Sequence, residues 1–152
     1  MLSKKKRTDF FGDEYTTVCT YEHNEKVGLG EANLKEGDTS SKLMGETVAY
    51  YKAIRSFAKW ELEDAKKELK KMQDLKTYLF PPKFYGRQVD WIKERLDKKI
   101  SQLQENVEMW IGEIEDITNT LLSYLKEREE AKEKIKKFKE RKAAQNAKEN
   151  EN

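Results

Sequence analysis

Of the chain's 152 residues, 36% are hydrophobic and 39% charged, well above the charged share of about 25% in an ordinary globular domain, which argues against a rounded, deeply buried fold and against two separate cores. The aromatic share of 11%, with Trp60, Trp91 and Trp110 inside periodic segments, argues equally against simple disorder, and elongated amphipathic helices satisfy both facts. Thirty-one Lys and Arg against 29 Asp and Glu leave a net charge of +2, so no overall field draws the molecule to nucleic acid, which is possible but not favoured as a partner, or to an anionic membrane.

Residues 1–14 read as a flexible basic arm, in which Lys4 to Arg7 is better explained as a solvated terminus than as a phosphate contact. No apolar run follows them as in a secretory leader, and none approaches the roughly 20 residues of a membrane span, so a cytoplasmic location is expected. Residues 15–34 predict a β-hairpin. Tyr15 to Tyr21 is rich in β-branched and aromatic residues, Lys26 to Leu34 alternates through Val27 and Leu29, and the polar stretch Glu22 to Glu25 supplies the turn. Such a hairpin is marginal alone and must lie on a helix or pair with a second copy. Cys19, the single cysteine, rules out an intramolecular disulfide and reads as an inert strand residue, since His23 is the sole histidine available to activate it. Gly28-Leu29-Gly30 lacks the third glycine of a nucleotide loop and lies in a strand pattern, where close backbone approach is the usual reason for glycine.

The turn-rich stretch Lys35 to Ser41 offers Asp38, Thr39 or Ser40 as an N-cap, and residues 40–144 predict a helical hairpin or coiled coil. The first helix is expected over about 40–80, with Leu43, Val48, Tyr51, Ile54, Ala58, Ala65, Leu69, Met72 and Leu79 facing inward. Pro81 and Pro82 end it, and a loop over 81–86 makes the flanking helices antiparallel neighbours. The second helix is expected over about 87–144. Ile100, Leu103, Val107, Trp110, Ile114, Ile117, Leu121 and Tyr124 step by three and four in a heptad seam, continued more weakly by Arg128, Ala131, Ile135, Phe138 and Lys142. Residues 145–152 read as a disordered polar tail. Because this helix outruns its partner, and Ile111 and Leu125 broaden its apolar face, self-association into a homo-oligomer is expected; the alternative is a break near Thr118-Asn119-Thr120 that folds the last segment back.

The overall fold class is thus mainly α with a small β-hairpin, α+β. No catalytic or metal-binding motif is present, so no catalytic residue, metal or cofactor is assigned and a non-enzymatic role is expected. Glu61 with Asp64, and Glu113 with Asp116, share helix faces but suit ordinary surface pairing. Basic and aromatic residues interleave at Tyr50, Tyr51, Lys52, Arg55, Phe57 and Lys59, and again at Lys83, Phe84, Tyr85 and Arg87, a combination that grips anions while stacking on a ring. Lys52, Arg55, Tyr85 and Arg87 are the candidate ligand-binding residues.

The stretch Gly30 to Lys52 resembles a pattern in small prophage proteins of low-GC Gram-positive bacteria: a β-hairpin ending in Gly-x-Ala, an acidic turn, then a helix opening with Gly and carrying Ala before a basic residue. Those positions here are Gly30, Ala32, Asp38, Gly45, Ala49 and Lys52, about 23 residues in all. The same stretch is similar, more loosely, to the hairpin-plus-helix half of double-stranded-RNA-binding-like folds. Lys52 stands where Arg is expected, which gives up a bidentate anion contact. The resemblance implies an anti-defence phage protein working in the host cell, of the kind that includes oligomeric anti-Thoeris sponges. Such a protein would sequester a cyclic nucleotide-type signal or block a host defence protein, with Lys52, Arg55 or Arg87 meeting phosphates where copies join. The competing expectation is a structural coiled-coil module that binds another protein helix.

Overall fold

The computed structural model describes residues 6–13, 15–33, 42–80 and 90–151. Three strands, β1 (Arg7–Gly12), β2 (Thr16–His23) and β3 (Lys26–Asn33), precede two long helices, α1 (Lys42–Leu79) and α2 (Asp90–Asn150). The fold is mainly α with a small antiparallel sheet, and it divides into two compact units, Met1–Thr118 and Asn119–Asn152.

The expected hairpin is a three-stranded sheet in the order β1-β2-β3. This corrects the reading of residues 1–14 as a flexible arm, because Arg7–Gly12 pairs along β2 with Phe10 opposite Cys19 and Phe11 opposite Val18. Two neighbouring phenylalanines place one ring on each face of a strand. The turn into β2 is held by Asp13, whose carboxylate accepts the Tyr15 and Thr16 amides at 2.8 and 2.9 Å. Those two bonds hold the Asp13 carboxyl below the usual carboxylate range. Gly12 precedes the turn at φ 145°, where a Cβ would fall on the Thr16 carbonyl. The turn between β2 and β3 is tighter than the stretch 22–25, since His23 pairs with Lys26 across Asn24 and Glu25 alone. Both of those residues have positive φ, 52° and 64°, as the two central residues of a type I′ turn do.

Register sorts the sheet into two faces. Phe10, Cys19 and Gly30 share one row, and Thr8, Tyr21 and Gly28 another; the alternate rows carry Phe11, Val18 and Glu31, and Asp9, Thr20 and Leu29. The first face lies on α1, where Cys19, Ala49 and Ala53 form a fully buried cluster with Tyr21, Ala32 and Tyr50 packed against it. Contact is backbone to backbone. A Cβ at Gly28 would fall on the Ala53 carbonyl, and one at Gly30 on the Ala49 carbonyl. Glycine here serves close approach, and the Gly30, Ala32, Gly45, Ala49 spacing acquires a packing reason, with Gly45 meeting the Thr17 side chain.

The buried stripe Ala49, Ala53 and Phe57 lies outside the inward face expected for α1, since alanine contributes little to an apolar pattern. Ala58 and Ala65 are buried as expected, on the line leading to Met72 and Lys76. Lys76 pairs with Asp97, and Phe57 meets Trp110 edge-on with ring centres 6.3 Å apart, so α1 and the first part of α2 run antiparallel. Leu43 and Leu79, expected to face inward, are 73% and 42% exposed. Periodicity continues through the terminal turns of a helix whether or not a neighbour covers them.

Ile100 and Leu103 are buried and Val107, Trp110, Ile114 and Ile117 half-buried, so the seam is expressed in the first unit. The second unit is helical from Asn119 to Asn150, which corrects the disordered tail: charged residues with Ala143, Ala144 and Ala147 are good helix formers. Thr118-Asn119-Thr120 are helical too, against the alternative of a break there. Burial in this unit declines from Leu121 through half-buried Tyr124, Leu125 and Arg128 to Ile135 and Phe138, which are 56% and 67% exposed. The loop 81–86 and the caps Asp38, Thr39 and Ser40 lie outside the described residues.

A cationic groove as candidate functional site

The two turns of α1 that bury Ala53 and Phe57 carry Lys52, Arg55, Ser56 and Lys59 on an adjoining face at i, i+3, i+4 and i+7, so their side chains stand in a row. With Trp60 they line one wall of an open groove of about 500 Å³, whose other wall is Leu29, Gly30 and Glu31 of β3. That is the size range of small-ligand sites. Lys52 Nζ donates to the Glu31 carbonyl oxygen at 2.9 Å. Among the described residues none of Lys52, Arg55 and Lys59 is ion-paired with a carboxylate. Further along α1, Glu61 and Asp64 both hold Lys26, at 2.9 and 2.7 Å.

Sequence reasoning had given Glu61 and Asp64 to ordinary surface pairing along the helix; they instead clamp the end of β3 to α1. Burial lowers the Lys26 ammonium pKa, but the bonds to Asp64 and Glu61 outweigh it and raise the group above its ordinary value. Asp64 is correspondingly held below the usual carboxylate range, chiefly by its bond to Lys26.

Of the four candidate residues, the structure brings Lys52 and Arg55 together in the groove. Tyr85 and Arg87 lie outside the described residues. Phe57 is 6% exposed and belongs to an aromatic cluster with Tyr21, His23 and Trp110, so it serves packing and leaves ring stacking to Trp60, which is 60% exposed. Ser56, Trp60 and the β3 wall were not singled out from sequence. Helical spacing from Lys52 was signal enough for Ser56 and Lys59; the β3 wall depends on strand order, which local sequence does not carry. A second hollow of about 410 Å³, beside Gln73, Thr77 and Gln104, has its lysine, Lys76, already paired.

Cys19 is fully buried, and burial pushes its thiol above the ordinary value, which suppresses the reactive thiolate. His23 lies four residues further along the same strand, about 13 Å away at 3.3 Å per residue, out of reach of a thiol–imidazole pair. Among the described residues no group of three or more His, Cys, Asp or Glu gathers as metal ligands would, and no helix is long and apolar enough to cross a membrane. Compared with protein-family models, curated proteins and solved structures, the chain finds no match in any of the three.

Proposed function

We propose that this chain is a non-enzymatic binding protein that captures an anionic ligand in the groove between β3 and α1. The observation that carries this reading is the row of Lys52, Arg55 and Lys59 beside exposed Trp60, three cations with no carboxylate partner among the described residues. Cations lined up on one wall are spared charge repulsion by an anion, and an aromatic plane alongside adds a stacking surface. The likeness to prophage proteins gives the capture a purpose, sequestering a host immune signal in the host cytoplasm. A thermal-shift titration with pyrophosphate, nucleotides and cyclic dinucleotides tests it. A ligand at 100 times its dissociation constant adds about 2.7 kcal/mol of stability, and Arg55→Glu with Lys59→Glu abolishes the gain. A flat response across the panel and to acidic peptides overturns the reading.

A second reading rests on a different observation. Ile135 and Phe138, three residues apart on one face, are exposed on the helix of the second unit, as in a module that pairs with another helix, a second copy included. Light scattering over a concentration series tests this: Ile135→Asp with Phe138→Asp reduces the mass of an associating protein to that of the monomer, and monomeric wild type at all concentrations excludes self-pairing.

A further inference from the structure

The groove has an unusual wall. β3 is an edge strand, and Glu31 turns its carbonyl outward to Lys52. On the free edge of an antiparallel pair, a residue whose carbonyl points out also points its amide out, and so do its neighbours two positions away. Leu29 and Val27 therefore present a further row of backbone donors and acceptors along the groove, with no strand beyond them among the described residues. Open edges of this kind are templates for another strand.

The cationic wall has the same pitch as that edge. Gly30 sits on Ala49 and Gly28 on Ala53, so two residues along β3 correspond to four along α1, antiparallel to it. Two strand residues advance about 6.6 Å and four helix residues about 6 Å. Alternate side chains of a strand added beside β3 would thus meet Lys52, then Arg55, then Lys59 in step. Its intervening side chains would fall on the opposite sheet face, beside Val27 and Leu29, which are 50% and 58% exposed. Both chemistries are open to a partner: on one side three cations that no carboxylate pairs with among the described residues, on the other exposed apolar residues.

We infer that the groove's ligand is an extended acidic peptide segment that adds to β3 as a fourth strand, with acidic side chains at alternate positions facing Lys52, Arg55 and Lys59 and apolar ones between them. This rests on the proposed anion-binding role of the same groove and names its occupant. Lys52 holds the place of the incoming strand by donating to the Glu31 carbonyl, and is freed for a carboxylate when a peptide amide takes over that carbonyl.

The test uses the full chain and an end-blocked hexapeptide, Glu-Val-Glu-Val-Glu-Val, with Glu-Glu-Glu-Val-Val-Val as the same composition in block order. Binding is followed by isothermal titration calorimetry, and backbone pairing by amide hydrogen exchange at Val27, Leu29 and Glu31. Expected is binding of the alternating peptide at least about tenfold tighter than of the block peptide, slowed exchange at Leu29 and Glu31, and loss of about tenfold or more in affinity with Arg55→Glu and Lys59→Glu, which leave the melting curve of the free protein in place. Equal binding of the two peptides, or tight binding with unchanged exchange at Leu29 and Glu31, overturns the fourth strand. Binding of pyrophosphate or a nucleotide at the groove with neither peptide bound also overturns it and leaves the anion-binding role standing. No binding of any probe sinks both.

Discussion

The sheet packed on α1 and the helix of the second unit are built on opposite principles. In the first, burial is reached with very small side chains: Cys19, Ala49 and Ala53 are fully inaccessible, and two glycines let a strand lie directly on helix carbonyls. In the second, Ile135 and Phe138 are large yet mostly exposed among lysines and glutamates. Side-chain size is thus a poor guide to which region is costly to alter; what counts is the room around the atom.

The largest effect tests that contrast directly. Gly30→Val drives two methyl groups into the Ala49 carbonyl, where backbone on both sides cannot yield, and should cost about 3–4 kcal/mol or more in urea unfolding followed by circular dichroism. Phe138→Ala, a far larger change in volume, should stay within about 0.5 kcal/mol for the monomer. Phe57→Ala is expected close behind Gly30→Val, at about 3 kcal/mol, since it empties the ring contacts with Tyr21 and Trp110.

Lys26→Ala sharpens the comparison through charge, and should cost about 1–2 kcal/mol near neutral pH by stranding half-buried Glu61. The raised ammonium contributes fully below its ordinary pKa and loses its effect as pH rises through the raised value. The lowered Asp64 carboxyl contributes above its ordinary pKa and loses its effect as pH falls through the lowered one. Wild type and Lys26→Ala should therefore converge at both ends of a pH series of thermal melts and differ most between them. A modest effect of the opposite sign comes from Glu25→Gly, which relieves a left-handed residue in the β2–β3 turn and should raise stability by about 0.5–1 kcal/mol in the same melts.

Long-range periodicity made the helices legible. The seam from Ile100 to Tyr124 could be read residue by residue because large apolar side chains repeat over many turns. The contact of α1 with the sheet could not, because Ala49 and Ala53 look like helix filler and Gly28 and Gly30 like strand defects until both are seen together. β1 was hidden for a related reason: it is short and exposed except for half-buried Asp9, so it has no apolar row that could show alternation. At the site, Lys52 and Arg55 were visible as cations among aromatics. That no carboxylate pairs with them among the described residues was not, since ion pairing is settled by tertiary structure, as where Lys26 reaches from the sheet to hold Glu61 and Asp64.

The tryptophans give the molecule a built-in gauge of how it responds to occupancy. Trp60 of α1 stands open at the groove, whereas Trp110 of α2 is half-buried and meets the Phe57 ring edge-on. A rigid helix receiving a ligand changes the surroundings of the first indole and leaves those of the second alone. A helix that slides on its glycine bed changes both, and with Trp91 replaced by Phe the ratio of the two emissions then measures how far a small groove is mechanically tied to the interior.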